Sequence, residues 1–419
     1  MSSEFPAFAS DFLRTMQARG YIHSISHPAE LDAAARGRLI GYVGYDATAP
    51  SLHIGNLISI MMLRRLQQAG GKPIVVSGGG TTKVGDPTDK DQQRPLLSDA
   101  VINANIASQR QAFAKFLAFG DGPTDAIIVN NDEWLSKYGY VQFLRDFGAH
   151  FSVNRMLAFD SVKLRLEREQ PMSFLEFNYM LMQAVDFLEL FRRHGCTLQM
   201  GGSDQWGNIL NGVELIRRVE QKPAFGLTTP LLLTSSGEKM GKTVGGAVWL
   251  NADMLSPYEY WQMWRNTEDG DVARFLKLFT DLPLDEIARI EALQGAEIND
   301  GKILLANLAT AMLHGADSAR QAEAAARGAF TGGDLSGLPS IDVPSTEFAA
   351  GLRLANALTR AGLTASNGEA KRLIEQSAIA VNDSVVSDAG YTLSPADLRD
   401  GAIKLTRGKT RHALVRILE

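Results

Sequence analysis

The chain has 419 residues, of which 45% are hydrophobic and 21% are charged, and its formal net charge is −5. This size allows two or three domains with a large core, and the composition is that of an ordinary globular protein. The negative charge argues against a generally basic nucleic-acid binder, although residues 351–419 carry ten Lys and Arg against seven Asp and Glu.

Cysteine content and apolar runs bear on the compartment. Cys196 is the one cysteine, so the sequence provides neither a disulfide framework nor a cysteine-based metal site. The N-terminus mixes Glu4, Asp11 and Arg14 with its apolar residues, unlike a signal peptide. No apolar run approaches the roughly 18 residues of a membrane span. We therefore expect a cytoplasmic protein without a membrane partner or a protein-held metal.

The first predicted strand and helix flank a polar turn. Residues 39–45 are an apolar strand candidate, and apolar residues recur with helical spacing from 57 to 66. Ser51, His53 and Asn56 lie between them. A helix N-terminus that follows a strand has unpaired backbone N–H groups, which favour phosphate. The turn therefore predicts a phosphate site.

Further strand candidates end in glycine-rich or polar turns, as a parallel α/β sheet requires. They cover 74–77, 126–130, 196–201 and 227–233. Ligands bind at the carboxyl ends of such strands, so Asp46 and Asp86 are expected to face one crevice. Asp204 follows a later strand, where an acidic residue can hold ribose hydroxyls or cap the next helix.

One predicted helix, 174–191, carries a polar stripe. Tyr179, Gln183 and Asp186 are four and three residues apart and share one face. That face is either the wet side of the helix or the wall of a pocket. Predicted helices also cover 98–119 and, in the second half, 258–266, 272–279, 284–293 and 303–314, with an Ala-rich helix ending at 330.

Six motifs, in order, carry a family resemblance. His53-Ile54-Gly55-Asn56 and Lys239-Met240-Gly241-Lys242-Thr243 resemble the two signatures of class I aminoacyl-tRNA synthetases. Segments 42–46, 84–87, 176–187 and 202–207 are similar to those of the bacterial tyrosyl-tRNA synthetases. The terminal module resembles a small RNA-binding domain shared by a ribosomal protein and some pseudouridine synthases.

The resemblance implies the reaction of that family. L-tyrosine reacts with ATP, accompanied by Mg²⁺, to give tyrosyl-adenylate and pyrophosphate, and tyrosine then passes to the 3′ end of tRNA(Tyr). A homodimer is also implied. The first step needs alignment and charge stabilisation rather than a general base, because the tyrosine carboxylate is already a nucleophile.

The resemblance also assigns roles by position. Thr48 and His53 would act on the γ-phosphate in the transition state. Positions for catalysis and for gripping pyrophosphate are Thr48, His53, Asn56, Lys90, Arg94, Lys239, Lys242 and Thr243. Those for tyrosine are Tyr42, Asp86, Tyr179, Gln183, Asp186 and Gln205. Those for ATP are Asp46, Gly55, Gly202, Asp204 and Lys242.

Substrate selection is implied to depend on Tyr42 and Asp186, which match the family's pair for the phenol. A site that hydrogen-bonds the substrate hydroxyl rejects an analogue lacking it, and tyrosyl-tRNA synthetases are themselves a worked example of this rule. The sequence also departs from the family. Asn56 replaces a second histidine of many relatives, Val43 replaces a cysteine near the ribose, and Met240-Gly241 and Thr243 vary the lysine signature. None of these changes removes a required group.

Three alternatives remain. A tryptophanyl or other class I synthetase is disfavoured by Tyr42 and Asp186, because indole presents its donor elsewhere. A synthetase-like RNA-binding protein without activity is disfavoured by the retained lysines and His53. A small-molecule adenylyltransferase would not need the helical domain or the basic terminal module.

We expect a doubly wound parallel, Rossmann-like α/β sheet, followed by an all-α domain and a small α+β RNA-binding module. Residues 1–233 are expected to form a catalytic domain with a helical insertion and a dimer interface near 134–159. A mobile lysine loop (KMSKS-type) is expected over 234–250 and a helical anticodon-side domain over 251–331. A linker over 332–350 and the RNA-binding domain over 351–419 would follow.

Overall fold

The computed structural model describes residues 5–88, 96–237, 240, 242–243, 246–331, 335, 337–399, 401–408 and 411–418. Contacts divide the chain into two compact units. The first comprises Met1–Gly241, Trp249–Asn251 and Ala273–Glu291. The second comprises Lys242–Val248, Ala252–Val272 and Ala292–Glu419. No helix among the described residues has both the length and the apolar character needed to cross a membrane.

A six-stranded sheet forms the centre of the first unit. Its strands are β1 (Ser24–Ile25), β2 (Ile40–Asp46), β3 (Lys72–Gly78), β4 (Ile127–Asn130), β5 (Leu198–Gly202) and β6 (Phe225–Thr229). The spatial order is β1-β6-β5-β2-β3-β4, and all neighbours from β6 to β4 are parallel. The predicted fold class is therefore confirmed. The short β1 pairs antiparallel with β6 at the edge.

The strand order places a reversal between β2 and β5. The chain leaves β2 towards β3 and β4, then returns to the other side of β2 for β5 and β6. Loops at the carboxyl ends of β2 and β5 therefore diverge and leave a crevice between them, which is where open α/β sheets bind ligands.

Among the described residues, eleven α-helices accompany this sheet between residues 11 and 219, including those predicted near 57–66, 98–119 and 174–191. They are α1 (Asp11–Ala18), α2 (Pro28–Ala34), α3 (Ile54–Gln68), α4 (Asp99–Phe116), α5 (Asp132–Leu135), α6 (Tyr140–Asp146), α7 (Val153–Leu157), α8 (Asp160–Glu167), α9 (Phe174–Phe177), α10 (Tyr179–His194) and α11 (Trp206–Val219). The helix predicted over 174–191 is two helices, with Asn178 between them. Gly195 ends α10 with φ 65°, a left-handed conformation that suits glycine.

Five further α-helices lie in the described stretch between residues 257 and 331. They are α12 (Pro257–Arg265), α13 (Val272–Phe279), α14 (Leu284–Glu291), α15 (Ile298–His314) and α16 (Ala316–Thr331). Within the second unit α12, α15 and α16 pack together, and Tyr260 of α12 contacts His314 of α15 edge-on. Ala273–Glu291 instead belongs to the first unit. The expectation of one helical domain over 251–331 was wrong at this point, because helical periodicity does not show which core a helix joins.

The last part of the second unit is an α+β module. Its strands and helices are β9 (Ser340–Pro344), α17 (Ser345–Gly351), β10 (Leu352–Arg353), α18 (Leu354–Arg360), α19 (Asn367–Glu375), β11 (Ile379–Val381), β12 (Ser384–Val386), β13 (Thr392–Leu393), β14 (Ala402–Arg407) and β15 (Arg411–Leu418). Two earlier short strands, β7 (Lys242–Thr243) and β8 (Gly246–Ala247), form a separate hairpin. The five-stranded sheet has the order β12-β11-β14-β15-β9, and β10 pairs with β13.

The expected linker over 332–350 was partly wrong. Strand β9 pairs in parallel with β15, and Val343 and Phe348 are buried in the core of the module. Residues 340–350 therefore belong to the module. Pro and Ser suggested a linker in sequence, but pairing with a strand some 70 residues later cannot be read locally.

Candidate active site

A cavity of about 470 Å³ opens at the carboxyl ends of β2, β3 and β5. Thirteen residues proposed from the sequence line it. They are Tyr42, Asp46, Thr48, His53, Gly55, Asn56, Asp86, Tyr179, Gln183, Asp186, Gly202, Asp204 and Gln205. The helix α10 contributes its polar stripe to this cavity, so the stripe is a pocket wall rather than a solvated face.

For five other proposed positions, the structure gives either no placement or the backbone alone. Lys90, Arg94 and Lys239 lie outside the described residues. The backbone of Lys242 and Thr243 forms β7, and that placement is all the structure gives for them. Their proposed roles remain predictions.

The carboxylate of Asp186 is a buried polar group that lines the cavity. Its residue is 4% exposed, and it receives hydrogen bonds from Asn131 Nδ2 at 2.8 Å and from Trp134 Nε1 at 2.7 Å. Burial raises the pKa of Asp186 to about 7, partly offset by the two donors. Asp46 and Glu189 raise it further through their negative charge.

The hydroxyl of Tyr42 shares this end of the cavity. It is buried and has no hydrogen-bond partner among the described residues. Burial and the nearby charge of Asp186 raise the pKa of Tyr42, so the phenol stays neutral and can donate. A buried hydroxyl without a partner costs stability. A ligand hydroxyl between Tyr42 and Asp186 would satisfy both groups.

Carboxylates and amides line the middle of the cavity. Tyr179 donates to Asp46 Oδ2 at 3.1 Å, and Gln205 Nε2 donates to Asp86 Oδ2 at 3.0 Å. The pKa of Tyr179 is raised by burial and then by the charges of Asp46, Asp86 and Asp186. Oε1 of Gln183 is buried without a partner among the described residues. This region is electronegative and suits a cationic group.

The N-terminus of α3 forms another wall of the cavity. His53 is its N-cap: Gly55 N–H donates to His53 Nδ1 at 3.1 Å, and Asn56 Oδ1 accepts from His53 N–H at 3.1 Å. Because Nδ1 accepts, the proton of a neutral His53 ring resides on Nε2. A Cβ on Gly55 would lie 2.9 Å from the His53 ring, so any larger residue would displace that ring from its capping position. The positive end of the α3 dipole favours an anion at this wall.

The signature asparagine has a clear local role. Asn56 stands where the sequence resemblance leads us to expect a histidine, and its side-chain oxygen completes the capping box of α3. The substitution therefore supports the position of His53 while leaving an amide that can donate.

Sequence reasoning missed several residues of the site. Trp134 was predicted only as the start of a dimer region and Asn131 was given no binding role, yet both donate hydrogen bonds to Asp186. Gln199 and Thr229 also line the cavity with buried oxygens that lack partners among the described residues. Asn131 directly follows β4, so the strand-end rule that selected Asp46 could have found it.

No group of three or more His, Cys, Asp or Glu side chains that could hold a metal ion occurs in the part of the chain that the structure describes.

The cavity combines a buried hydroxyl-binding end, an electronegative middle and an anion-favouring helix terminus. Such a site suits a ligand with a phenol-like end, a cationic centre and phosphates.

Comparison with known proteins agrees with this geometry. Residues 34–331 match the model for tRNA synthetases class I (W and Y), and residues 336–415 match the tyrosine–tRNA ligase SYY-like C-terminal domain. The chain is 69% identical over 412 residues to a tyrosine–tRNA ligase of Caulobacter sp. (strain K31), covering 98% of both chains. It is 58% identical over 411 residues to the tyrosine–tRNA ligase of Rhodospirillum rubrum, again over 98% of both chains.

A solved structure also superimposes on most of the chain. It is a C-terminally truncated mitochondrial tyrosyl-tRNA synthetase from Aspergillus nidulans, 33% identical, with a TM-score of 0.69. The match covers 77% of this chain and 95% of that one. This chain therefore belongs to the tyrosine–tRNA ligases, within the class I aminoacyl-tRNA synthetases.

Proposed function

We propose that this ligase selects L-tyrosine by placing the substrate hydroxyl between Tyr42 and Asp186. Tyr42 donates to the phenol oxygen, and the phenol donates to the Asp186 carboxylate. The observation that carries this proposal is the buried, unpartnered Tyr42 hydroxyl in one cavity with Asp186 and the His53 turn, considered over the described residues. Phenylalanine would leave the Tyr42 hydroxyl without a partner and would offer Asp186 no further donor, and this cost would favour tyrosine over phenylalanine.

The middle of the cavity holds the rest of the amino acid. The α-ammonium of tyrosine is met by Asp86, Tyr179 and the buried Gln183 oxygen, which has no partner among the described residues, and the charge of Asp46 lies behind Tyr179. Gln205 contacts the carboxyl end. These contacts turn the tyrosine carboxylate towards the α3 terminus, where the phosphates of ATP bind.

Activation then proceeds by direct displacement. A tyrosine carboxylate oxygen attacks the α-phosphorus of ATP, and the bond from that phosphorus to pyrophosphate breaks. Thr48 and His53 stabilise charge that develops on the γ-phosphate, with Gly55 and Asn56 shaping the turn. Asp204 and Gly202 bind the ribose. Lys90, Arg94, Lys239, Lys242 and Thr243 act on pyrophosphate, as their signature positions imply, and Mg²⁺ arrives with ATP.

Transfer requires tRNA(Tyr), whose charging needs the RNA-binding module. The match to the SYY-like C-terminal domain supports this assignment. We also infer that the protein acts in the cytoplasm, which is consistent with its single cysteine, the buried Cys196.

A homodimer is the proposed assembly, through the region 134–159. Tyr140 and Val141 of α6 are 63% and 75% exposed, and Val153 of α7 is 60% exposed. Apolar groups concentrated in this way mark an interaction surface. Light scattering during gel filtration tests this: the wild type should have twice the chain mass, and Val141→Glu should shift it towards the monomer.

Pyrophosphate exchange into ATP, run in parallel with tyrosine, phenylalanine and tryptophan, tests the selection proposal. Exchange should depend strongly on tyrosine. Comparable exchange with phenylalanine would contradict the role of Tyr42 and Asp186, and preference for tryptophan would contradict the assignment of the substrate.

A further inference from the structure

Three ionisable residues lie along one face of α10. Asp186, Glu189 and Arg193 are spaced by three and four residues, so their side chains are neighbours on the helix surface. Asp186 lines the cavity, whereas Glu189 and Arg193 lie further along the helix and do not line it. Neither belongs to a signature motif.

The carboxylate of Glu189 is buried, with 7% of its side chain exposed. Tyr138 donates its hydroxyl to Oε1 at 2.8 Å, and Arg193 donates Nε–H to Oε2 at 2.7 Å. Arg192 lies 3.7 Å from Oε1. A buried carboxylate needs such partners, because an uncompensated charge would be costly.

Arg193 also contacts the residue that holds Asp186. Its guanidinium carbon lies 5.3 Å from the centre of the Trp134 ring, a cation–π distance. The same indole donates Nε1–H to Asp186 at 2.7 Å. Trp134 is 1% exposed and is thus held between Arg193 and Asp186.

We propose that Arg193 and Glu189 are positioning residues for tyrosine recognition, which fix the Trp134 indole against Asp186 and set the charge behind that carboxylate. Tyr138 completes the arrangement by anchoring Glu189. The inference rests on the proposed role of Asp186 as the acceptor for the substrate phenol. Neither positioning residue contacts the substrate.

The two residues have opposite electrostatic effects at Asp186. The groups that interact with Asp186 include the donors Asn131 and Trp134, the phenols of Tyr42 and Tyr179, and the negative charges of Asp46 and Glu189. Removing Glu189's charge lowers the pKa of Asp186. Removing Arg193 leaves Glu189 less neutralised and frees the indole, so the pKa of Asp186 rises.

The test measures the tyrosine KM and kcat in pyrophosphate exchange from pH 5.5 to 8.5 for Arg193→Gln and Glu189→Gln. The pH midpoint of tyrosine recognition should move up in the first variant and down in the second, each by about half a unit or more. Arg193→Lys should restore a midpoint near the wild type, since it keeps the cation over the indole. The ATP KM should change less than twofold.

A purely structural role would loosen the site in the same way in both variants. Midpoints that move in the same direction, or do not move, would therefore overturn the proposal. If Arg193→Gln fails to fold, two other variants test the proposal. Glu189→Gln must lower the pH midpoint of tyrosine recognition. Tyr138→Phe must raise the tyrosine KM more than the ATP KM.

Arg14→Gln is the matched control, because Arg14 is an exposed arginine in an ion pair with Asp11 on α1. It should leave the midpoint unchanged. A wild type that accepts phenylalanine as readily as tyrosine would overturn the proposed function and this inference together. If the wild type is selective for tyrosine and both variants keep its pH midpoint, this inference alone is overturned.

Discussion

The indole nitrogen of Trp134 donates a hydrogen bond of 2.7 Å to Asp186 Oδ1, across 52 residues of sequence. Asn131 occupies the other carboxylate oxygen at 2.8 Å. Both oxygens are thus oriented before substrate arrives, and each keeps a lone pair for a further donor. This pre-organisation is the structural basis that we propose for reading a phenol.

Trp134→Phe should raise the tyrosine KM by about tenfold, because losing one hydrogen bond to a buried charged group costs on the order of 1–3 kcal/mol. Phenylalanine keeps an aromatic ring at this position but lacks the N–H donor. Steady-state pyrophosphate exchange measures the effect, and the ATP KM serves as the internal control. A parallel increase of both KM values would show general disruption of the site instead.

Tyrosine affinity should depend on pH through Asp186, whose pKa is about 7 in the free protein. The ionised carboxylate accepts from the substrate phenol, so affinity should fall below pH 7, approaching about tenfold per pH unit. Titration calorimetry at pH 6 in buffers of different ionisation enthalpy should detect proton release on binding. Affinity that is flat between pH 5.5 and 8 would contradict the proposal.

The same group affects stability in the opposite direction. The pKa of Asp186 rises from 3.8 to about 7 on folding, so the folded state binds more protons between these values. Its contribution to stability is therefore present below pH 4 and is lost as pH rises to about 7. Asp186→Asn should remove this dependence in thermal unfolding experiments, compared with the wild type over that range.

Lys242→Ala should slow adenylate formation with little change in tyrosine affinity, because Lys242 is proposed to act on the departing pyrophosphate. We expect a loss of roughly 3 kcal/mol in transition-state stabilisation. Rapid-quench measurement of the single-turnover rate tests it, and equilibrium dialysis gives the tyrosine affinity. Equal losses in rate and affinity would place Lys242 in ground-state binding.

Removal of the terminal module should spare adenylate formation and weaken tRNA charging. The cut belongs after Thr331, because β9 (Ser340–Pro344) pairs with β15 (Arg411–Leu418) and a cut at 351 would divide one sheet. Pyrophosphate exchange and tRNA charging are compared on the same preparation. Unchanged charging at limiting tRNA would refute a role for the module.

An ion-pair cluster joins the C-terminal end of α3 to the turn after α13. Arg65, 2% exposed, pairs with Asp281 and also donates to the carbonyl of Thr280. Arg65→Met should lower the free energy of unfolding by about 2 kcal/mol, because it removes the buried partner of Asp281. The loss stays this small because half-exposed Asp281 is partly screened by solvent. Urea unfolding measures the change, and Arg36→Met, on an exposed arginine, should stay within about 0.5 kcal/mol.

The cluster also predicts a pH effect. Arg64 and Arg65 hold the pKa of Asp281 below its ordinary value despite burial. Its contribution is therefore present above pH 4 and is lost as pH falls below that value. The difference between wild type and Arg65→Met should shrink at pH 3, and a constant difference would count against the ion pair.

Local pattern was sufficient to predict the long parallel strands of the main sheet and several of the long helices. Periodicity and turn residues predicted α13 within its observed bounds and placed β2 and β3 within two residues of theirs, because helix and strand periods are properties of neighbouring residues. Polar residues at strand ends indicated the cavity, since parallel strands bring their carboxyl ends to one edge. The spacing of Tyr179, Gln183 and Asp186 placed them on one face.

Tertiary structure alone decided which groups meet around Asp186. Asn131 and Trp134 arrive from the end of β4, whereas Tyr42 arrives from β2, and only the strand order brings them together. The pairing of β9 with β15 and the assignment of Ala273–Glu291 to the first unit are equally non-local. Sequence spacing fixes neighbours along one element, but contacts between elements depend on burial and packing of the whole fold.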